Sequence, residues 1–274
     1  MSTTDLIGGY SRVKIATRVC VLVAVTVATQ ACSRFEGTWS TSVTLPDDPG
    51  WVTEDYFCFW GCTVNQIEHF GDLLDDPAND DRPLEELSAE ASRVGSEDFL
   101  NALTPSARAD MEGRTIVNNL DDICSEYGYF AISVSVMPLR ITEHDDRLEF
   151  FYETHDSQRT IYWEGSAPPP PDEPTHFGYS VARMEGDALV IETSHVGVAP
   201  FYVGQALGLK HSDQLTGVER YVLSDNGRQL DMIFTIQDPE VLATPLTWDK
   251  KWRRANDLEL VHHEYDCSFT PGQR

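Results

Sequence analysis

Basic residues are what this sequence is short of: 20 Lys and Arg stand against 45 Asp and Glu, a formal charge of −25. A surface so acidic repels phosphate backbones, which argues against nucleic acid as a partner and reads as a solvated, aggregation-resistant exterior. A membrane-length apolar run is missing too. The best candidate, "VCVLVAVTVAT" at 19–29, has eleven residues, where a helix crossing a bilayer needs roughly 20. No G-x-S-x-G elbow, H-E-x-x-H pair or glycine-rich phosphate loop occurs, so hydrolase, zinc-protease and nucleotide chemistries find no motif. Zinc sites of the finger type bring two close cysteine pairs, and here only Cys58 and Cys62 are close. The acidic run "DDPANDD", Asp75 to Asp81, lacks the alternate oxygens, central glycine and distant glutamate of a calcium loop, so it reads as a solvated turn between helices. No metal and no cofactor is implied.

What is present begins with an address. Three positive charges, the short apolar run and "QAC" make residues 1–31 a signal peptide. Their removal, with Arg12, Lys14, Arg18 and Asp5, leaves 17 basic against 44 acidic residues. Cys32 stands where a bacterial lipobox places its acylated cysteine, although Thr29 and Gln30 depart from that pattern. The expectation is a lipoprotein on the periplasmic side of the envelope, with Ser33 favouring the outer membrane. Cys58, Cys62, Cys124 and Cys267 then form two disulfides of an exported chain, with three possible connectivities. Cys124 with Cys267 and Cys58 with Cys62 is one pairing, and Cys58 with Cys267 is the crossed alternative.

Residues 32–62 read as an exposed lead-in. Residues 63–123 form a helical extension: Val64, Ile67, Phe70 and Leu74, and after Pro83 Leu84, Leu87 and Ala91, recur at three- and four-residue spacing. From Phe130 the period changes to two, and residues 124–274 read as an antiparallel meander of eight to ten strands. Asn226-Gly227 and Gly186-Asp187 suit two-residue hairpin turns, "ITEHDDRLEFFYE" and "WDKKWRRANDLELVHHEY" suggest two more hairpins, and "APPPPDEP" at 167–174 is a loop. The fold class is mainly β, a closed or half-closed lipocalin-like barrel with a short N-terminal helical extension.

Turn position fixes which side chains share a face. About Asn226-Gly227, Leu223 faces Leu230, Tyr221 faces Met232 and Glu219 faces Phe234, so a carboxylate shares the apolar face while Arg220 takes the other. A buried carboxylate needs a partner, and the alternation Arg159, Ile161, Trp163 offers Arg159, with His211 arriving from the loop above. About Gly186-Asp187 one face carries Met184, Leu189, Ala182 and Ile191, then turns polar at Ser180, Thr193 and His195. In "HSDQLTGVERY", 211–221, His211, Ser212 and Asp213 are neighbours in a loop and do not form a triad; His211 and Glu219 are its plausible working pair.

The segments "RTIYWEG", "FGYSVARMEGDALVIET", "HSDQLTGVERY", "IQDPEVLATPL" and "EYDC", between about Pro138 and Cys267, resemble a family of exported bacterial proteins of uncharacterised activity. Met184 and Leu246 stand where that family usually has aromatics. The resemblance implies a lipocalin-like β fold and a polar set at Arg159, Ser180, Glu185, His211, Glu219, Arg220 and Asp238, and it implies no reaction.

Three functions follow in order. The first is a barrel binding a small, largely apolar or amphipathic molecule at Arg159, Trp163, Ser180, Thr193, His195, Tyr221, Met232 and Phe234. The second is an acid-base enzyme (isomerase, dehydratase or hydrolase) with His211 and Glu219 as proton carriers. The third is an envelope protein that docks a protein partner the sequence does not identify.

Overall fold

The computed structural model describes residues 34–41, 62–112, 127–135, 137–201, 209–224 and 226–260. The signal peptide, Cys32, Cys58, Cys124, Cys267 and the second arm of the last expected hairpin beyond Leu260 lie outside them. Cys62 is buried and disulfide-bonded; its partner also lies outside, so the expected pairings are not placed.

Among the described residues ten strands make one sheet: β1 (Gly37–Ser40), β2 (Cys62–Thr63), β3 (Leu139–Glu143), β4 (Arg147–Tyr152), β5 (Ser157–Trp163), β6 (Tyr179–Glu185), β7 (Ala188–Ser194), β8 (Thr216–Leu223), β9 (Gln229–Gln237) and β10 (Leu246–Arg254). β1 pairs with both β3 and β10, which closes nine strands into a barrel, while β2 adds to the other part of β10. The stretch read as an exposed lead-in thus supplies the closing strand. Trp39 is the reason: fully buried, it donates its indole N–H to Phe35 O at 2.9 Å.

The registers about the two turns are those the sequence sets. Leu223 pairs with Leu230, Tyr221 with Met232 and Glu219 with Phe234; Ser180 pairs with Thr193 and Ala182 with Ile191. Gly227 sits at φ +68, where a side chain would be strained. One pairing departs from the expected meander. β5 and β6 are parallel, matched from Ile161 with Ser180 to Trp163 with Ala182. The proline-rich loop accounts for this: an extended stretch advances about 3 Å per residue, so the connection can carry the chain back to the end where β5 began. Below Ile161 and Ser180 the seam has no ladder.

A second departure lies at Phe130, where the period of two was read as the first strand. Tyr129–Ser133 is instead a helix, and all five residues are buried. Its apolar residues face several directions because it plugs one end of the barrel. The Phe130 ring lies 5.0 Å from Phe201 and 5.1 Å from Trp248, both edge-on. Burying such a ring stabilises the fold by roughly 2–3 kcal/mol.

The helical segment is α1 (Val64–Asp75), α2 (Leu84–Ala102) and α3 (Pro105–Glu112), with the plug as α4. Thr63 and Gln66 form a reciprocal cap on α1, and Thr63 Oγ1 donates to Asp98 on α2 at 2.6 Å. Phe70, Leu87 and Ala91 make a small core beside Cys62. In the acidic run, Asp76 accepts from Ala78 N at 2.9 Å, capping a short helical turn. Thr104 N and Ala243 N bond to Val241 O and Ala102 O at 2.8 and 2.7 Å, zipping the end of α2 to the β9–β10 loop. Among the described residues no helix is long and apolar enough to cross a membrane.

Candidate functional site in the barrel lumen

The polar face foreseen on β6, β7 and β8 becomes a connected network. Arg159, on β5, lies along the wall over β6 and β7 and reaches Glu219 on β8 at 2.7 Å, with the two side chains 1% and 0% exposed. On the way Nη2 donates to Ser180 Oγ at 2.9 Å and to Thr193 Oγ1 at 2.6 Å, and Nε donates to Ser180 Oγ at 3.1 Å. Glu219 also accepts from Tyr129 Oη at 2.9 Å and from Tyr221 Oη at 2.7 Å. The guanidinium sits 4.7 Å from the centre of the Tyr129 ring, a cation–π distance. Gly217 is required here, because a methyl group at its Cα would collide with Tyr129 Oη.

Electrostatics follow from dryness and one dominant ion pair. Burial opposes the charge on Arg159, but Glu219, Tyr129 and Tyr152 more than offset it, so its pKa rises. Burial, then Glu219, holds the Tyr129 and Tyr221 hydroxyls protonated well above their usual range. Tyr152 is likewise raised, chiefly by burial and against the pull of Arg159. The network is saturated except at one place. Arg159 Nη1 and Tyr152 Oη are buried without a hydrogen bond of good geometry, although Tyr152 Oη lies close enough to Arg159 and Tyr221 for both to oppose the rise of its pKa.

The other expected residues separate in space. Met232 and Phe234 face the lumen at 1% and 0% exposure, and Trp163 packs partly buried against the same core. His195 does not share that face. Its φ of +54 turns it out, with Nδ1 2.9 Å from Ser194 Oγ and the ring beside Tyr179. His211 is buried edge-on to Phe201, with Nδ1 3.0 Å from Ser212 O and Nε2 unpartnered. Burial lowers its pKa, and Ser212 O and Asp238 oppose that only in part. No hydrogen bond joins it to Glu219, whose oxygens are taken by Arg159, Tyr129 and Tyr221.

With His211 apart beside Phe201, the rest of the implied polar set divides three ways. Arg159, Ser180 and Glu219 build the lumen network. Asp238 is a staple, fully buried and accepting from Ser212 N at 2.7 Å and Ser212 Oγ at 2.8 Å. Glu185 and Arg220 sit outside, bridged at 3.0 Å beside Arg183.

The ladder-free foot of the β5–β6 seam leaves a groove of about 470 Å³, lined by Arg159, Tyr162, Pro168, His176, Phe177 and Tyr179 among others. Arg159, whose head lies inside, is one of its lining residues.

Tyr129 and Tyr152 were not singled out from sequence, and Lys250 and Trp252, which counting puts on the aromatic side of the last expected hairpin, were given no role. Tyr129 lay where a strand was expected to begin, and Tyr152 ends the run "EFFY", which has no alternation to assign faces. The signal for Lys250 was readable, since it alternates with Trp248 and Trp252. A comparison with known proteins finds no matching family model and no matching curated protein.

Proposed function

We propose that the protein binds a small, largely apolar molecule in its barrel, with a hydrogen-bond-accepting group on that molecule held by Arg159 and Tyr152. A barrel of about eight strands can hold one small ligand, and in this nine-strand barrel Leu189, Ile191, Met232 and Phe234 give an apolar lining. The observation that carries this reading is the pair of buried donors, Arg159 Nη1 and Tyr152 Oη, left without a hydrogen bond of good geometry in an otherwise saturated network. Buried donors are normally satisfied, and leaving one bare costs about 1–3 kcal/mol. Both lack a well-placed acceptor, so the complementary group is an acceptor, a carboxylate before all others. The seam groove is the entrance in this reading. The test is native mass spectrometry of the full chain with decanoate: a one-to-one adduct, weakened in Tyr152→Phe without loss of fold, supports it, and no adduct refutes it.

The place of action in this proposal is the periplasmic side of a bacterial envelope, in the exported family the segments resemble, with Cys32 acylated. Cys32→Ala should release the protein from membranes; a wild-type protein that is soluble and unmodified at residue 32 would refute the anchor.

A further inference from the structure

The chain has four lysines, Lys14, Lys210, Lys250 and Lys251, and Lys250 is buried at 1% exposure. On β10 it alternates with Trp248 and Trp252, on the face turned to the lumen, and its β9 neighbour is Met232. Its Nζ lies 4.5 Å from the centre of the Trp252 ring and has no hydrogen-bond partner. Trp252 Nε1, also buried, has none. Glu219, the fully buried carboxylate of the lumen, is engaged by Arg159 and two tyrosines on β8 and the plug. An ammonium here would lose its hydration with only the indole face in return. Burial accordingly lowers the Lys250 pKa from 10.5 to about 7. The free amine, with its lone pair, is the nucleophilic form of lysine, and desolvation in an apolar site is one way proteins obtain it.

We propose that Lys250 captures a carbonyl compound, an apolar aldehyde or ketone, as a Schiff base in the lumen, with Trp252 N–H holding the carbonyl oxygen. A carbonyl is the group that uses both orphan atoms, its oxygen accepting from the indole and its carbon accepting the amine lone pair. The Nζ–C bond forms as the C=O π pair moves to oxygen, which takes a proton; the resulting hydroxyl then leaves with a further proton as water as C=N forms. Amine and carbonyl become imine and water, with no redox partner. This rests on the reading that the lumen admits an apolar molecule.

The experiment uses the full chain at pH 7 with cinnamaldehyde, or with cinnamyl alcohol as the non-carbonyl control, in the presence of cyanoborohydride. Both should quench tryptophan fluorescence saturably. Only the aldehyde should leave a permanent mass addition, on Lys250 at least about tenfold above Lys210 and Lys251. Lys250→Met should lose that addition while still binding the alcohol. Binding of both compounds with no addition, or with one that persists in Lys250→Met, overturns the capture site alone. Binding of neither overturns the capture site together with the ligand reading.

Discussion

The barrel buries an arginine on β5 and a lysine on β10 and treats them in opposite ways. Arg159 spans three strands and meets a carboxylate, two hydroxyls and an aromatic face. Lys250 meets one aromatic face and no acceptor. A guanidinium cannot shed its charge, so it persists in a dry interior only beside a counter-charge, whereas an amine can escape the same penalty by deprotonating. One site therefore holds fixed charge and sets the polar end of the lumen; the other holds an amine that loses its charge as pH rises through about 7.

The sharpest way to break this contrast is Glu219→Gln, which keeps shape and strands the Arg159 charge. Loss of one partner of a buried pair costs about 3–5 kcal/mol, so the melting temperature should fall on the order of 10 °C. Lys250→Met should act in the opposite direction, raising stability by a few kcal/mol under acidic conditions. Because folding lowers this pKa from 10.5 to about 7, the unfolded chain binds more protons between those values, and wild-type stability rises with pH across that window. The advantage of Lys250→Met is therefore full below pH 7 and gone above about pH 10.5; urea melts at pH 6 and pH 9 measure the difference. Asp238→Ala, which frees the Ser212 turn, should cost about 2 kcal/mol and leave ligand affinity within a factor of a few. Tyr152→Phe, which removes a buried hydroxyl without a well-formed hydrogen bond, should not lower the melting temperature and should weaken binding of an apolar carboxylate. Arg220→Ala, in the exposed ladder with Glu185, should change neither melting nor binding.

The same contrast shows what the sequence could reveal. Where a turn dictates the register, faces follow by counting, and Glu219, Tyr221, Met232 and Phe234 all fall where the Asn226-Gly227 turn puts them. Arg159 followed from the need of a buried carboxylate for a cation. Lys250 was equally countable, but a lysine between tryptophans carries no written sign of lacking a partner; that emerges only when all neighbouring strands are in place. The plug was hidden for another reason. "YFAIS" is apolar throughout, so no period separates a buried helix from a strand, and Tyr129, the bridge from plug to Glu219, was hidden with it. The parallel seam was equally illegible, since a proline-rich loop states its reach and not its landing place. His195 was misassigned by simple counting, because its positive φ ends the alternation one residue early.

The central claim is that the saturated network ends in two donors without well-formed hydrogen bonds, Arg159 Nη1 and Tyr152 Oη, that hold a ligand. Titrating the full chain with decanoate, followed by tryptophan fluorescence, tests it most directly. The account predicts one-to-one saturation in the wild type and roughly tenfold weaker binding in Tyr152→Phe, the loss of one hydrogen bond to a charged group. Equal affinity in the two proteins, or no saturable change in the wild type, would contradict it.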